Sequence, residues 1–306
     1  MLLSAILLAA TYATPMERVS SMEPKDAQSA YDSYAIQLVY EPLLAIDYAQ
    51  RPYKVIPCYC ELPEVSTNGL TYIFRVREGK GRNADDVVNS LMKLYEPTCP
   101  NGWIVKDVAS IRAMDAKTVE VTLKKRLRYF PWLMTMSSCA VVGADGKGTG
   151  PYELKNWRKN HKMEFVRRQP QPSTSTCFDT VKYLVIDDMS TQWLMFLKGE
   201  VDYLKEVSRD NWESVVDETG KKGIRLHAKP SLETMYCGIN MKDPVLGKNR
   251  KLRQALNAAF DFPKWEQFNL YRVVEADGPI PPGIAERLET PFAYSFNLEK
   301  AKKLIA

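Results

Sequence analysis

Leu70-Thr71-Tyr72-Ile73-Phe74-Arg75-Val76-Arg77 is the stretch from which the fold is read. Leu70, Tyr72, Phe74 and Val76 fall on one face and Thr71, Arg75 and Arg77 on the other, the period-two pattern of a half-buried strand. The strand is entered through Ser66-Thr67-Asn68-Gly69, whose Asn-Gly pair takes positive φ readily and turns the chain. Downstream the period changes. Asn83 offers an N-cap with Asp86 three residues later, and Val87, Val88, Leu91, Leu94 and Tyr95 recur at helical spacing until Pro97. Lys117 to Leu123 alternates again, with Val119, Val121 and Leu123 inward.

Further out, Tyr152 to Trp157 and Met163 to Arg167 flank the polar tip Arg158 to Lys162 and predict a hairpin. Gln169 to Thr176 is a proline-rich surface loop before a strand over Val181 to Ile186. Trp193, Leu194 and Leu197 pack a helix that Gly199 ends. Short strands are expected around His227 and over Met235 to Asn240. Leu252, Ala255, Leu256, Ala259 and Phe260 then mark a helix stripe. Strands and helices mix without a strict βαβ rhythm, so the class is α/β, or mixed α+β, with mixed sheets.

The chain has 306 residues, 45% hydrophobic and 26% charged, with net charge +5. That balance excludes disorder and a collagen-like or all-membrane protein, and the length suits about two domains. The cations are dispersed among acids, which argues against a nucleic-acid partner; the densest run, Lys124-Lys125-Arg126-Leu127-Arg128, is read as capping a surface hairpin. Leu2 to Ala10 is apolar apart from Ser4 and is followed by Thr11-Tyr12-Ala13, a small-x-small ending. This predicts an export leader over residues 1–13 that lacks its basic n-region, the alternative being a buried helix. No later stretch is apolar for ~18 residues. The first cysteine is Cys58, which argues against a lipid anchor at the cleavage site.

Six cysteines (58, 60, 99, 139, 177 and 237) permit up to three disulfides in an exported protein. Cys58-Tyr59-Cys60 has one intervening residue where zinc knuckles have at least two, so no metal is expected. Gly143 to Gly150 fails the phosphate-loop spacing, because Lys147 is followed by Gly148, and reads as a turn. Of the two histidines, His161 sits at the hairpin tip and His227 in a short apolar strand, neither placed for nucleophilic catalysis. Asp85-Asp86 suits a helix N-terminus, where the macrodipole favours negative charge, and Asp187-Asp188 suits a turn. No catalytic set and no cofactor site emerges.

The order of segments adds what composition cannot. Tyr40-Glu41-Pro42-Leu43-Leu44, Arg51 to Pro57, Leu62 to Gly79, Ala84 to Ser90, Asp115 to Leu123, Gly148-Thr149-Gly150-Pro151-Tyr152, Lys198 to Asp202 and Asn249 to Asp261 together resemble the family 5 extracellular solute-binding proteins of ABC importers, the peptide and nickel binding group. The resemblance covers nearly all of the chain after the leader. It implies a periplasmic-binding-protein-like fold of two lobes, no enzymatic activity, a peptide ligand, permease subunits as partners, a monomer, and a periplasmic or extracytoplasmic location. Sugar and nickel-chelate ligands, or a sensory role with transport lost, are the alternatives.

Met22-Glu23-Pro24 matches the family's Leu-Asp-Pro motif, so the resemblance places Gln28, Ser29 and Ala30 against the ligand's backbone. It likewise places Tyr236 and Asn240 where the chain crosses into the second lobe, with Trp103 as an aromatic wall. The first lobe is expected over residues 14–230 and the start of the second over 231–306. Compared with the family, the segment between Gly79 and Gly81 is short. Asn297 to Ala306 resembles a helix from the middle of the family's chain. The expectation is therefore a fragment with an incomplete second lobe and exposed apolar surface.

Overall fold

The computed structural model describes residues 9–14, 19–49, 52–79, 81–168, 178–228, 233–276, 278, 280–281 and 295–306. The chain divides into two compact units, residues 1–48 with 54–211, and residues 49–53 with 212–306.

In the first unit the elements run β1 (Ala9–Thr14), α1 (Ala30–Val39), β2 (Leu44–Asp47), β3 (Lys54–Pro57), β4 (Glu64–Val65), β5 (Thr71–Arg75), α2 (Ala84–Met92), β6 (Val108–Ala113), β7 (Thr118–Leu123), α3 (Phe130–Leu133), β8 (Tyr152–Arg158), β9 (Lys162–Arg167), β10 (Thr180–Val185), α4 (Met189–Leu197) and β11 (Tyr203–Leu204). One sheet has the order β4-β5-β7-β6 and is antiparallel throughout. The other, β11-β1-β10-β9-β8, is mixed: β1 runs parallel to β10 and β11, and β10, β9 and β8 alternate in direction. β2 and β3 form a separate antiparallel pair.

The β5 alternation holds: Tyr72 and Phe74 are buried while Arg75 is exposed. Asn68 stabilises the preceding turn, its Oδ1 accepting from the Leu70 N–H at 3.0 Å, and Gly69 at φ 69° completes it. α2 starts with the expected reciprocal cap, Asn83 Oδ1 accepting from Asp86 N at 3.0 Å and Asp86 Oδ2 from Asn83 N at 3.4 Å. Asp86 also accepts from Ala144 N at 3.0 Å, which holds the Gly143–Gly150 turn against α2. Val87 and Leu91 of α2 join Phe74, Val119, Val121 and Phe130 in one core. α1 covers the mixed sheet through Ala35 and Val39, which meet Tyr152, Met163 and Phe165. Gly150 lies so close to the end of α1 that a Cβ there would be 2.7 Å from Val39 O, so only glycine fits.

Several expectations are corrected. Asp188 caps α4, accepting from Thr191 N at 2.7 Å, where a turn was expected, because its carboxylate satisfies an otherwise orphaned helical N–H. Lys124–Arg128 follows β7 into α3 and lies away from the β6–β7 turn. Among the described residues Met235–Asn240 and Ile224–Ala228 form no strand and pair with none, and His227 is exposed. Among the described residues Cys99, Cys139 and Cys237 are free thiols; Cys177 lies outside the described residues, as does the loop Gln169–Thr176. Burial pushes the Cys139 thiol up to about 12. Apart from these corrections, β1 spans the end of the expected leader, its ladder pairing Ala13 with Leu184 and Leu204 and continuing to Thr14.

Described residues of the second unit form helices only: α5 (Trp212–Glu218), α6 (Arg250–Ala259), α7 (Phe262–Phe268) and α8 (Leu298–Ile305). α6 and α8 meet through Ala255, Ala258 and Ala301. The stripe expected on α6 is shifted, with Leu256 and Phe260 about half exposed and Ala258 fully buried. Small side chains let the two backbones approach, and Asn297 N donates to Ala258 O at 2.8 Å.

Candidate functional site

The site is built on the start of α1. Ser29 is the N-cap, its Oγ accepting from Asp32 N at 3.0 Å, and Asp32 answers by accepting from Ser29 N at 3.0 Å. The Asp32 carboxylate is buried at 1% exposure and accepts further from Gln28 N at 3.1 Å, Ser20 N at 2.7 Å and the Ser20 hydroxyl. Burial opposes its charge, but the N–H groups of Ser20, Gln28 and Ser29 outweigh that, and the carboxyl titrates below its ordinary 3.8. The turn before α1 is thereby locked. Its Gln28 and Ser29 N–H groups are also spent inward.

Asn101 supplies the second anchor. Its Nδ2 donates to Lys25 O at 2.9 Å and Ala27 O at 2.8 Å, and the Cys99 thiol donates to Lys25 O at 3.3 Å. Lys25 also pairs with Glu96 at 3.2 Å. Across α1, the Ser137 hydroxyl donates to Ser33 Oγ at 2.8 Å. These contacts frame an open groove of about 560 Å³. One wall is Ala27 to Ala30 with Ser33 and Gln37; the other is Pro100, Asn101 and Thr135 to Ser138, with Ile46 and Tyr48 beside them. No lining residue is charged. The groove offers amides and hydroxyls beside a comparable amount of apolar surface, and nothing able to act as nucleophile or general base at neutral pH.

A smaller cavity near Tyr31, Tyr34, Trp157 and Tyr183 holds about 20 Å³, room for a single water. Burial pushes Tyr183 up to about 12. His161 lies at the rim of this cavity, on the exposed β8–β9 turn. Among the described residues no group of His, Cys, Asp and Glu is arranged to hold a metal ion.

Of the residues expected at a ligand site, Gln28, Ser29 and Ala30 line the groove. Trp103 does not; it stands two residues beyond Asn101 with 55% of its surface exposed. Tyr236 and Asn240 belong to the second unit, where Tyr236 is 83% exposed and Asn240 Oδ1 accepts from Lys242 N at 3.0 Å in a local turn. Ser33, Asn101 and Ser137 escape sequence reading because their partners lie far along the chain.

The profile of the bacterial extracellular solute-binding proteins, family 5, middle region, matches residues 40–306. The chain belongs to that family. Its curated relatives include the glutathione-binding protein GsiB of Escherichia coli K12, 27% identical over 293 residues that cover 87% of this chain and 55% of the relative. The chain therefore spans about half the length of the curated relatives it matches. Among solved structures, the Helicobacter pylori periplasmic binding protein DppA, in complex with the peptide STSA, superposes with a TM-score of 0.81 at 20% identity, covering 98% of this chain and 66% of that one. Burkholderia pseudomallei OppA gives 0.80 at 23% identity over 98% and 67%, and Campylobacter jejuni NikZ, in complex with Ni(L-His), 0.80 at 19% over 97% and 62%. These show that the chain has the fold of the two-lobed binding proteins over the part of their length that it covers, and the homologues are binding proteins, not enzymes.

Proposed function

We propose that the chain is the substrate-binding component of an ABC importer, located outside the cytoplasm, delivering a peptide-class ligand to a membrane permease. The observation that carries this reading is the uncharged groove at the start of α1, which contains Gln28, Ser29 and Ala30. A peptide presents an amide donor and acceptor at every residue. Side-chain amides and hydroxyls match that repeat whatever the ligand's side chains are. Because Gln28 and Ser29 have committed their N–H groups to Asp32, and Ser29 also its carbonyl to Ser33 N and its Oγ to Asp32 N, recognition falls to the Gln28 carbonyl and amide and to the proton of the Ser29 hydroxyl. Ser33, Ser137 and the free Oδ face of Asn101 extend the same chemistry. The glutathione named for GsiB is itself a small peptide, and a metal chelate is the competing ligand class suggested by NikZ.

Calorimetry with glutathione, alanine peptides of increasing length and a nickel–histidine chelate tests the reading. A peptide is expected to bind, and Ser137→Leu, which fills the groove wall, is expected to weaken it at least about tenfold. Affinity for the chelate with none for any peptide would overturn it.

A further inference from the structure

Two segments of the first unit concentrate positive charge. Trp103–Asp107 and Lys124–Trp132 are held side by side: Lys124 N donates to Asp107 O at 2.8 Å, and Lys124 Nζ donates to Lys106 O at 2.9 Å. Ile104, Val105, Leu127 and Phe130 turn inward and account for the packing. Lys106, Lys124, Lys125, Arg126 and Arg128 are all exposed, and Asp107 is the single acid within these segments, bonded to Lys125 at 3.0 Å. Three large rings of the same two segments stand in solvent: Trp103 at 55%, Tyr129 at 54% and Trp132 at 40% exposure. Clustered cations repel one another, and exposed aromatic faces lose hydrophobic free energy. An anionic surface with a shallow apolar boundary relieves both.

We infer that this patch docks the protein on the surface of an anionic lipid membrane. Five cations fall in the range at which polybasic segments hold to acidic headgroups. Tryptophan and tyrosine are the side chains suited to the headgroup level, with apolar bodies and polar tips. An acidic protein or a nucleic acid would answer the charge as well. The rings of the same segments favour lipid, and the family's extracellular setting places a membrane within reach. Such docking keeps a solute-binding protein near any membrane partner by confining its diffusion to two dimensions.

The test is co-sedimentation of the protein with phosphatidylcholine vesicles made with and without phosphatidylglycerol, at low and physiological ionic strength. Binding is expected only with phosphatidylglycerol and should weaken as salt rises. Lys124→Glu with Lys125→Glu should lower the partition coefficient at least about tenfold. Trp103→Ser should lower it too while leaving the salt dependence in place. Lys155→Glu with Lys159→Glu, the same charge change on and beside β8, should leave binding intact. Arg128→Glu serves in place of the double variant if melting shows that variant to be misfolded. Equal binding to both vesicle types, no binding, retention on an acidic polymer alone, or an equal loss in the Lys155/Lys159 variant would overturn the inference.

Discussion

Phe74, Tyr59 and Phe130 fill the interior of the first unit at 1% exposure or less, whereas the buried cluster of the second is Ala255, Ala258 and Ala301. The larger side chains of the second unit stand outside: Met235 is 87% exposed, Tyr236 83% and Tyr271 72%. Both units contain ample apolar residues, so composition does not separate them. The first has a four-stranded and a five-stranded sheet, and helices α1 and α2 pack residues into their cores. Described residues of the second unit offer helix against helix through methyl groups. Hydrophobic stabilisation follows area removed from water, so the first unit is the source of most of the chain's stability.

The largest test of that contrast is Phe74→Ala. It removes a ring that meets Phe130 at 6.5 Å in the core and is expected to cost about 3–5 kcal/mol. Hydrogen exchange should show β5 and β7 losing protection while α6 is unchanged. Equal loss in α6 would show the units unfolding as one.

Next in size is Asp32→Asn, which leaves part of the N–H set of Ser20, Gln28 and Ser29 without an acceptor and should cost about 2–3 kcal/mol. The sign of the pH effect follows from the lowered pKa. The stabilisation is complete above the ordinary value of 3.8 and is lost as pH falls through the lower folded value. Urea midpoints measured from about pH 6 to pH 3 should therefore fall less steeply in the Asn variant than in the native chain. Identical slopes would remove Asp32 from the acid response.

The smallest expected effect is Leu256→Ala. Half exposed on α6, Leu256 should contribute no more than about 0.5 kcal/mol, although the atoms removed match those of a costly core deletion. A loss of about 2 kcal/mol or more, read from thermal melting, would show that this side chain is buried in solution and would erase the contrast.

Legibility followed the range of the interactions concerned. β5, β7 and the β8–β9 hairpin were readable because alternation and turn residues are local, and α2 because Asn83 and Asp86 cap it within one turn. Met235–Asn240 has the residues of a strand and is none, since a strand requires a partner that the residues themselves do not name. The run Ala9–Thr14 shows the same ambiguity from the other side. Small and apolar residues suit a leader's end, and here they also suit a strand between two parallel neighbours. On α6, period alone chose Leu256 and Phe260; close approach by α8 chose Ala258. Gln28 to Ala30 were reached through resemblance. Asn101 was not, because an asparagine after proline reads as a turn residue until its amide is seen spanning to Lys25 and Ala27.

By itself the sequence determined the mixed α/β class, the α2 cap at Asn83, the Asn68-Gly69 turn and the family, all of which rest on neighbours along the chain or on collinear order. Tertiary structure alone decided that β1 runs between β10 and β11, that Ser33 meets Ser137, that Asn101 braces the groove, and that Lys106 joins the Lys124–Arg128 run. Each of these joins residues distant in the chain, and their meeting depends on how whole elements pack. Local propensity carries no record of that packing.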